Sequence, residues 1–105
     1  MARGGPSGAE ADTVGGVVTA YLNHLVVERG IARNTLDGYA RDLRRYTEHL
    51  SRAGVTRITD VTAGHVTRFA VTLRDGEEGH HPLAESSAAR ALAAVRGLHR
   101  FAHAD

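Results

Sequence analysis

All thirteen basic residues of this 105-residue chain are arginine, a side chain whose planar fork meets a phosphate through two parallel hydrogen bonds where lysine offers only a point charge. The absence of lysine reads as genomic base composition; the spacing of the arginines is more informative. Asn34, Gly38, Arg41 and Arg45 recur at three- and four-residue steps, with Thr35 and Asp42 at the border, so on a helix they form one polar, basic face of little bulk. Ser86, Arg90, Ala93, Gly97 and Arg100, flanked by Arg96, repeat the arrangement further on. Each series opens on a residue type that caps helices and continues into arginine. Helix N-termini and small polar side chains meet phosphates and base edges while arginine neutralises the backbone, so this chemistry suits a DNA duplex. Gly38, Ala93 and Gly97 would leave room for a groove wall to approach. The competing reading is two solvated helix faces whose caps serve only their own helices.

Other chemistries find less support. Tyr21, Tyr39 and Tyr46 are the candidate nucleophiles, but each falls on an apolar stripe and reads as core, so no catalytic residue is assigned. His80-His81 and the pair His99, His103 raise the question of a metal, because two histidines one helical turn apart can share an ion. Arg100 stands where a zinc-protease motif has its carboxylate, and neither a metal ligand nor a cofactor is assigned. Without cysteine there is no disulfide framework or thiolate zinc site, and nothing calls for an oxidising compartment.

Four helices are needed to position these residues. Val14, Val17, Val18, Tyr21, Leu22 and Leu25 form one apolar stripe on a helix that starts behind Thr13 as N-cap and stops near Gly30. Asn34 then reads as the N-cap of a second helix, with Leu36, Tyr39, Ala40, Leu43, Tyr46, Thr47 and Leu50 inward and Gly54 at its end. A third helix is predicted from Ala63 to Arg74, capped by Thr62, with Val66, Phe69, Ala70 and Leu73 inward. Asp75 to Leu83, with two glycines and a proline, reads as an exposed loop continuing acidic and solvent-facing to Glu85. Ser86 or Ser87 caps the fourth helix, whose inward set is Ala88, Ala91, Leu92, Val95, Leu98 and Ala102. No segment alternates like a strand, so the fold class is all-α. Residues 1–12, rich in glycine and without periodicity, read as a disordered leader ahead of a single domain over 13–105.

The net charge of +1 is too small to imply a nucleic-acid partner by itself. Its distribution is uneven: residues 30–60 hold six arginines against four acids, and residues 86–105 three against one. Those two segments carry the candidate faces. No apolar stretch approaches the length of a membrane span and the first residues lack a secretory core, so no membrane association is expected and the cytoplasm is the expected location.

The run from Tyr21-Leu22 through Glu28-Arg29-Gly30, followed by Asn34-Thr35-Leu36-Asp37-Gly38-Tyr39-Ala40-Arg41-Asp42-Leu43, resembles the opening signature of the N-terminal core-binding domain of Xer and phage-integrase-type tyrosine recombinases. Ser86-Ser87-Ala88-Ala89-Arg90-Ala91-Leu92-Ala93-Ala94-Val95-Arg96 is similar to a second pattern of that family. Ile58-Thr59-Asp60-Val61 resembles its short link into the third helix. The resemblance covers about Val14 to Ala104.

It implies a four-helix, SAM-like orthogonal bundle forming half of a clamp on double-stranded DNA, with the second and fourth helices in or beside the major groove. It carries DNA contacts onto Asn34, Thr35, Arg41 and Arg45, and onto Ser86, Ser87, Arg90 and Arg96; Leu36, Tyr39, Leu43, Leu92 and Val95 match as core. Further recombinase protomers in a tetramer are the implied protein partners. The catalytic tyrosine and its arginine, lysine and histidine neighbours are expected in a separate domain beyond Asp105. Two rivals stand beside this reading. One is a small helical protein-protein interaction module, for which Phe101, off the main stripe, would offer a docking residue. The other is a free helix-turn-helix regulator, which the long Ala53 to Thr62 connection disfavours.

Overall fold

The computed structural model describes residues 12–103, and among them the chain is all-α. Helix α1 spans Val14–Arg29, α2 Arg33–Arg52, α3 Ala63–Asp75 and α4 Glu85–Ala102, with a single 3-10 turn at Ile58–Asp60. The leader expected over residues 1–12 lies outside the described residues except for Asp12. That residue is tied down: its carboxylate accepts from Arg57 Nη2 at 2.9 Å and its carbonyl from the Ile58 N–H at 2.9 Å. The Val14 N–H donates to the Thr56 carbonyl at 2.9 Å, so the long connection between α2 and α3 anchors the start of α1.

Two of the four expected caps form. Thr13 accepts from the Gly16 N–H at 3.0 Å, and α1 ends where Gly30 turns left-handed at φ 58°, a conformation glycine adopts without a Cβ penalty. Thr62 caps α3 in a reciprocal box, accepting from the His65 N–H while its own N–H donates to His65 Nδ1 at 2.9 Å. The other two caps are corrections. Helix α2 starts behind Ala32 and α4 behind Ala84, neither with a side-chain cap bond, so Asn34, Ser86 and Ser87 lie inside their first turns. The reason is the preceding chain. Gly30 ends α1 so abruptly that only Ile31 and Ala32 remain as a link, and the Leu36 N–H already closes on the Ala32 carbonyl at 2.9 Å. Before α4, the Leu83 N–H is held by the Leu73 carbonyl at 2.9 Å, and Ala88 closes on Ala84 at 2.9 Å.

Helix α4 packs against all three others. Its inward face is largely alanine, with Ala88, Ala91 and Ala94 buried beside Val95 and Leu98, which lets large side chains from the neighbours come close: Leu43, Tyr46 and Leu50 from α2, Phe69 and Leu73 from α3. Ala94 joins the core beyond the predicted set, and Leu92 and Ala102 are only partly buried. Tyr46, fully buried, places its hydroxyl 2.8 Å from His99 Nε2. Burial pushes the Tyr46 phenol well above its ordinary range and, together with neighbouring His103, pushes His99 below its own. Phe101 is occupied within the chain, its ring 5.5 Å from Tyr21 and 5.1 Å from His24.

Gly97 and Gly38, read as room for a groove wall, make room instead for side chains of this domain. A Cβ at Gly97 would overlap the Tyr21 hydroxyl, and one at Gly38 would lie 3.4 Å from Arg90 Nε. Gly97→Ala is therefore expected to lower stability by about 1–3 kcal/mol through overpacking, outweighing the ~1 kcal/mol that alanine gains over glycine in a helix. Adding Tyr21→Phe, which removes the overlapping oxygen, should recover part of the loss in thermal denaturation.

Candidate nucleic-acid interface

Helices α2 and α4 pack against each other and are tied by two side-chain pairs, Asp42 with Arg90 and Tyr46 with His99. Arg90 is the clasp. Its Nε and Nη2 donate to the two carboxylate oxygens of Asp42 at 2.7 and 2.9 Å, a fork-to-fork pair that fixes both distance and orientation. The hydrogen bond to Asp42 also raises the Arg90 pKa above its ordinary value. Asp42 itself is buried at 6% exposure. Gly38 sits beneath this pair, which explains its place one helical turn before Asp42.

The eight candidate contacts therefore divide. Asn34, Thr35 and Arg41 on α2, and Ser86 and Arg96 on α4, are exposed. Arg41 and Arg96 have no ion-pair partner among the described residues. Ser87 is half-buried, and Arg90 is half-buried with Nη1 left outside the Asp42 pair. Arg45 is turned inward at 8% exposure and lies 3.5 Å from Glu77, whose other oxygen lies 3.5 Å from Arg52.

Glu77 corrects the expectation that the loop after α3 faces solvent throughout. Gly76 and Gly79 adopt positive φ of 82° and 88°, and Glu77 and His80 exchange backbone hydrogen bonds at 3.0 and 2.9 Å. This tight turn folds the acid back onto α2, where it neutralises arginines. Besides Arg41 and Arg96, five arginines among the described residues are exposed and unpaired: Arg100, already on the α4 line, and four that the spacing argument did not select, Arg44 one turn after Arg41, Arg29 near the end of α1, and Arg68 and Arg74 on α3. Their signal lay in exposure, which a spacing of three and four does not report.

For metal chemistry the arrangement offers little. The His99 and His103 rings stack at 6.3 Å, His99 Nε2 is engaged by Tyr46, and among the described residues no group of three or more His, Cys, Asp or Glu side chains could hold an ion. None of the described helices is long and apolar enough to cross a membrane.

Fold and surface together define an all-α bundle that presents two clasped helices with unpaired arginines on the outside. Residues 18–105 match the family model described as "Phage integrase, N-terminal SAM-like domain", and the chain belongs to that family. The Tyrosine recombinase XerD of Mycobacterium tuberculosis is 54% identical over 87 residues, covering 81% of this chain and 28% of that protein. The Tyrosine recombinase XerD of Corynebacterium glutamicum is 49% identical over 82 residues, 78% of this chain and 27% of that protein. A Tyrosine recombinase XerC, from Azotobacter vinelandii, is 38% identical over 82 residues, 78% of this chain and 26% of that protein. The chain thus spans about a quarter of the length of these relatives. No solved structure matched it significantly.

Proposed function

We propose that this chain is the DNA-binding clamp domain of a site-specific tyrosine recombinase, gripping a recombination half-site with the outer faces of α2 and α4. The observation that carries the reading is the pairing of α2 and α4 by Asp42 and Arg90, with Asn34, Thr35, Arg41, Ser86 and Arg96 left exposed along them. Helix N-terminal turns bearing small polar residues suit phosphates and base edges, and unpaired arginines suit the backbone on either side. Arg90 acts chiefly by positioning the helices, with Nη1 available as one further donor. Arg45 supports the face from beneath through Glu77.

Phosphoryl transfer is assigned to residues outside this chain, because Tyr21 and Tyr46 are buried in the bundle and Tyr39 is packed against it. Assembly with further recombinase protomers, and work in the cytoplasm, belong to the same proposal. Titrating the ¹⁵N-labelled chain with a short duplex tests it. Amide shifts should concentrate in the first halves of α2 and α4. Shifts confined to α3 or to residues 53–62 would overturn it.

A further inference from the structure

Beside the α2–α4 face, an open cleft of about 410 Å³ lies between α1, α2 and α4, a size within the range of small-ligand sites. Its walls carry Tyr21 and Arg29 from α1, Tyr39 from α2, and Arg96, Gly97 and Arg100 from α4, and no carboxylate lines it. Arg29, Arg96 and Arg100 are three of the seven described arginines without an ion-pair partner, and they are the three that share one hollow. Three like charges around one hollow repel each other unless an anion sits among them. Tyr21 adds a neutral donor. Burial, then neighbouring Tyr39, raises its pKa, and its hydroxyl is seated against the one residue of α4 with no Cβ to exclude it.

We infer that this cleft takes a phosphate group, and that its occupant is a single phosphodiester of the duplex engaged by α2 and α4. The inference rests on the DNA-binding reading, and Arg96 carries the connection, since it belongs to both the outer face and the cleft. A strand lying along α4 past Arg96 brings its next phosphate to Arg100 and Arg29. Helix α1 thereby contributes to DNA binding through Arg29. A free phosphate would satisfy the same groups, so the test separates the two sources.

The experiment measures the salt dependence of binding to a short labelled duplex for the full chain, for Arg29→Gln, for Arg100→Gln and for the pair together, with Arg41→Gln as reference. Inorganic phosphate is titrated in parallel against the ¹⁵N-labelled protein. All these arginines are exposed, and an unchanged thermal midpoint verifies folding. Because both side chains serve one phosphate, the double variant should flatten the slope of log K against log salt by about 0.9, one phosphate and not two, and neither single variant should flatten it by more. If Arg41→Gln flattens the slope and the cleft variants leave it unchanged, the cleft inference falls while the α2–α4 reading stands. If inorganic phosphate shifts the amides around Arg29 and Arg100 while the duplex slope ignores them, the occupant is a free phosphate and the duplex assignment is overturned. If no duplex binds at all, both readings fail.

Discussion

Replacing Phe69 with alanine is expected to cost about 3–5 kcal/mol, the range for removing a fully buried aromatic ring from a packed core. A domain of this size has a total stability of roughly 5–15 kcal/mol, so the variant should stand close to unfolding. Phe69 is 0% exposed, and its ring lies 5.0 Å from Tyr46 and 5.2 Å from His49. Helix α3 has only one other fully buried residue, Leu73, so without Phe69 it loses most of its hold on α2 and α4. The vacated space also borders Tyr46, whose hydroxyl is hydrogen bonded to His99. Urea denaturation monitored by far-UV circular dichroism should show the lowered midpoint; a loss below about 1.5 kcal/mol would contradict this packing account.

Arg90→Ala is expected to be the most damaging change on the candidate face, costing about 2–3 kcal/mol, near the upper end for hydrogen bonds to charged groups. It leaves the Asp42 carboxylate, 7% exposed in its side chain, without its partner. Arg90 itself is 37% exposed, so solvent screens part of the pair and keeps the cost below that of breaking a fully buried one. Asp42→Asn should cost less, because the freed guanidinium can turn to water. Its effect on DNA is the more revealing measurement. Removing a negative charge from the proposed DNA face would by simple electrostatics tighten binding, whereas loss of the clasp should weaken it by misplacing α2 against α4. Tighter duplex binding by Asp42→Asn would refute the positioning role.

What was legible in the sequence was what is decided locally. Thr13 and Thr62 cap the helices they precede, Gly30 ends α1, and the apolar stripes of all four helices, Leu36 in the first turn of α2 excepted, point into one core because their period is that of the helix. Asn34, Ser86 and Ser87 were not legible as first-turn residues rather than caps. The helix starts are set by how the chain leaves Gly30 and by the bond from Leu83 to Leu73, which is tertiary information. Arg45 shares the helical spacing of Asn34 and Arg41, yet it is inward because Glu77, distant in sequence, folds over it. The same fold-back made an acidic loop look like solvent-facing chain. Gly38 and Gly97 were recognisable as places of close approach; the approaching groups, Arg90 and Tyr21, belong to the domain itself. The family was legible because its motifs combine core leucines and tyrosine with the clasp residues Asp42 and Arg90, and these fix the bundle.

The central claim, that the outer faces of α2 and α4 grip DNA through Arg41 and Arg96, is tested most directly by the salt dependence of duplex binding. Fluorescence anisotropy across a range of salt concentrations should give log K falling linearly with log salt, with Arg41→Gln and Arg96→Gln each flattening the slope by about 0.9, one phosphate contact apiece. Binding that ignores salt, or slopes that both substitutions leave at the wild-type value, would contradict it.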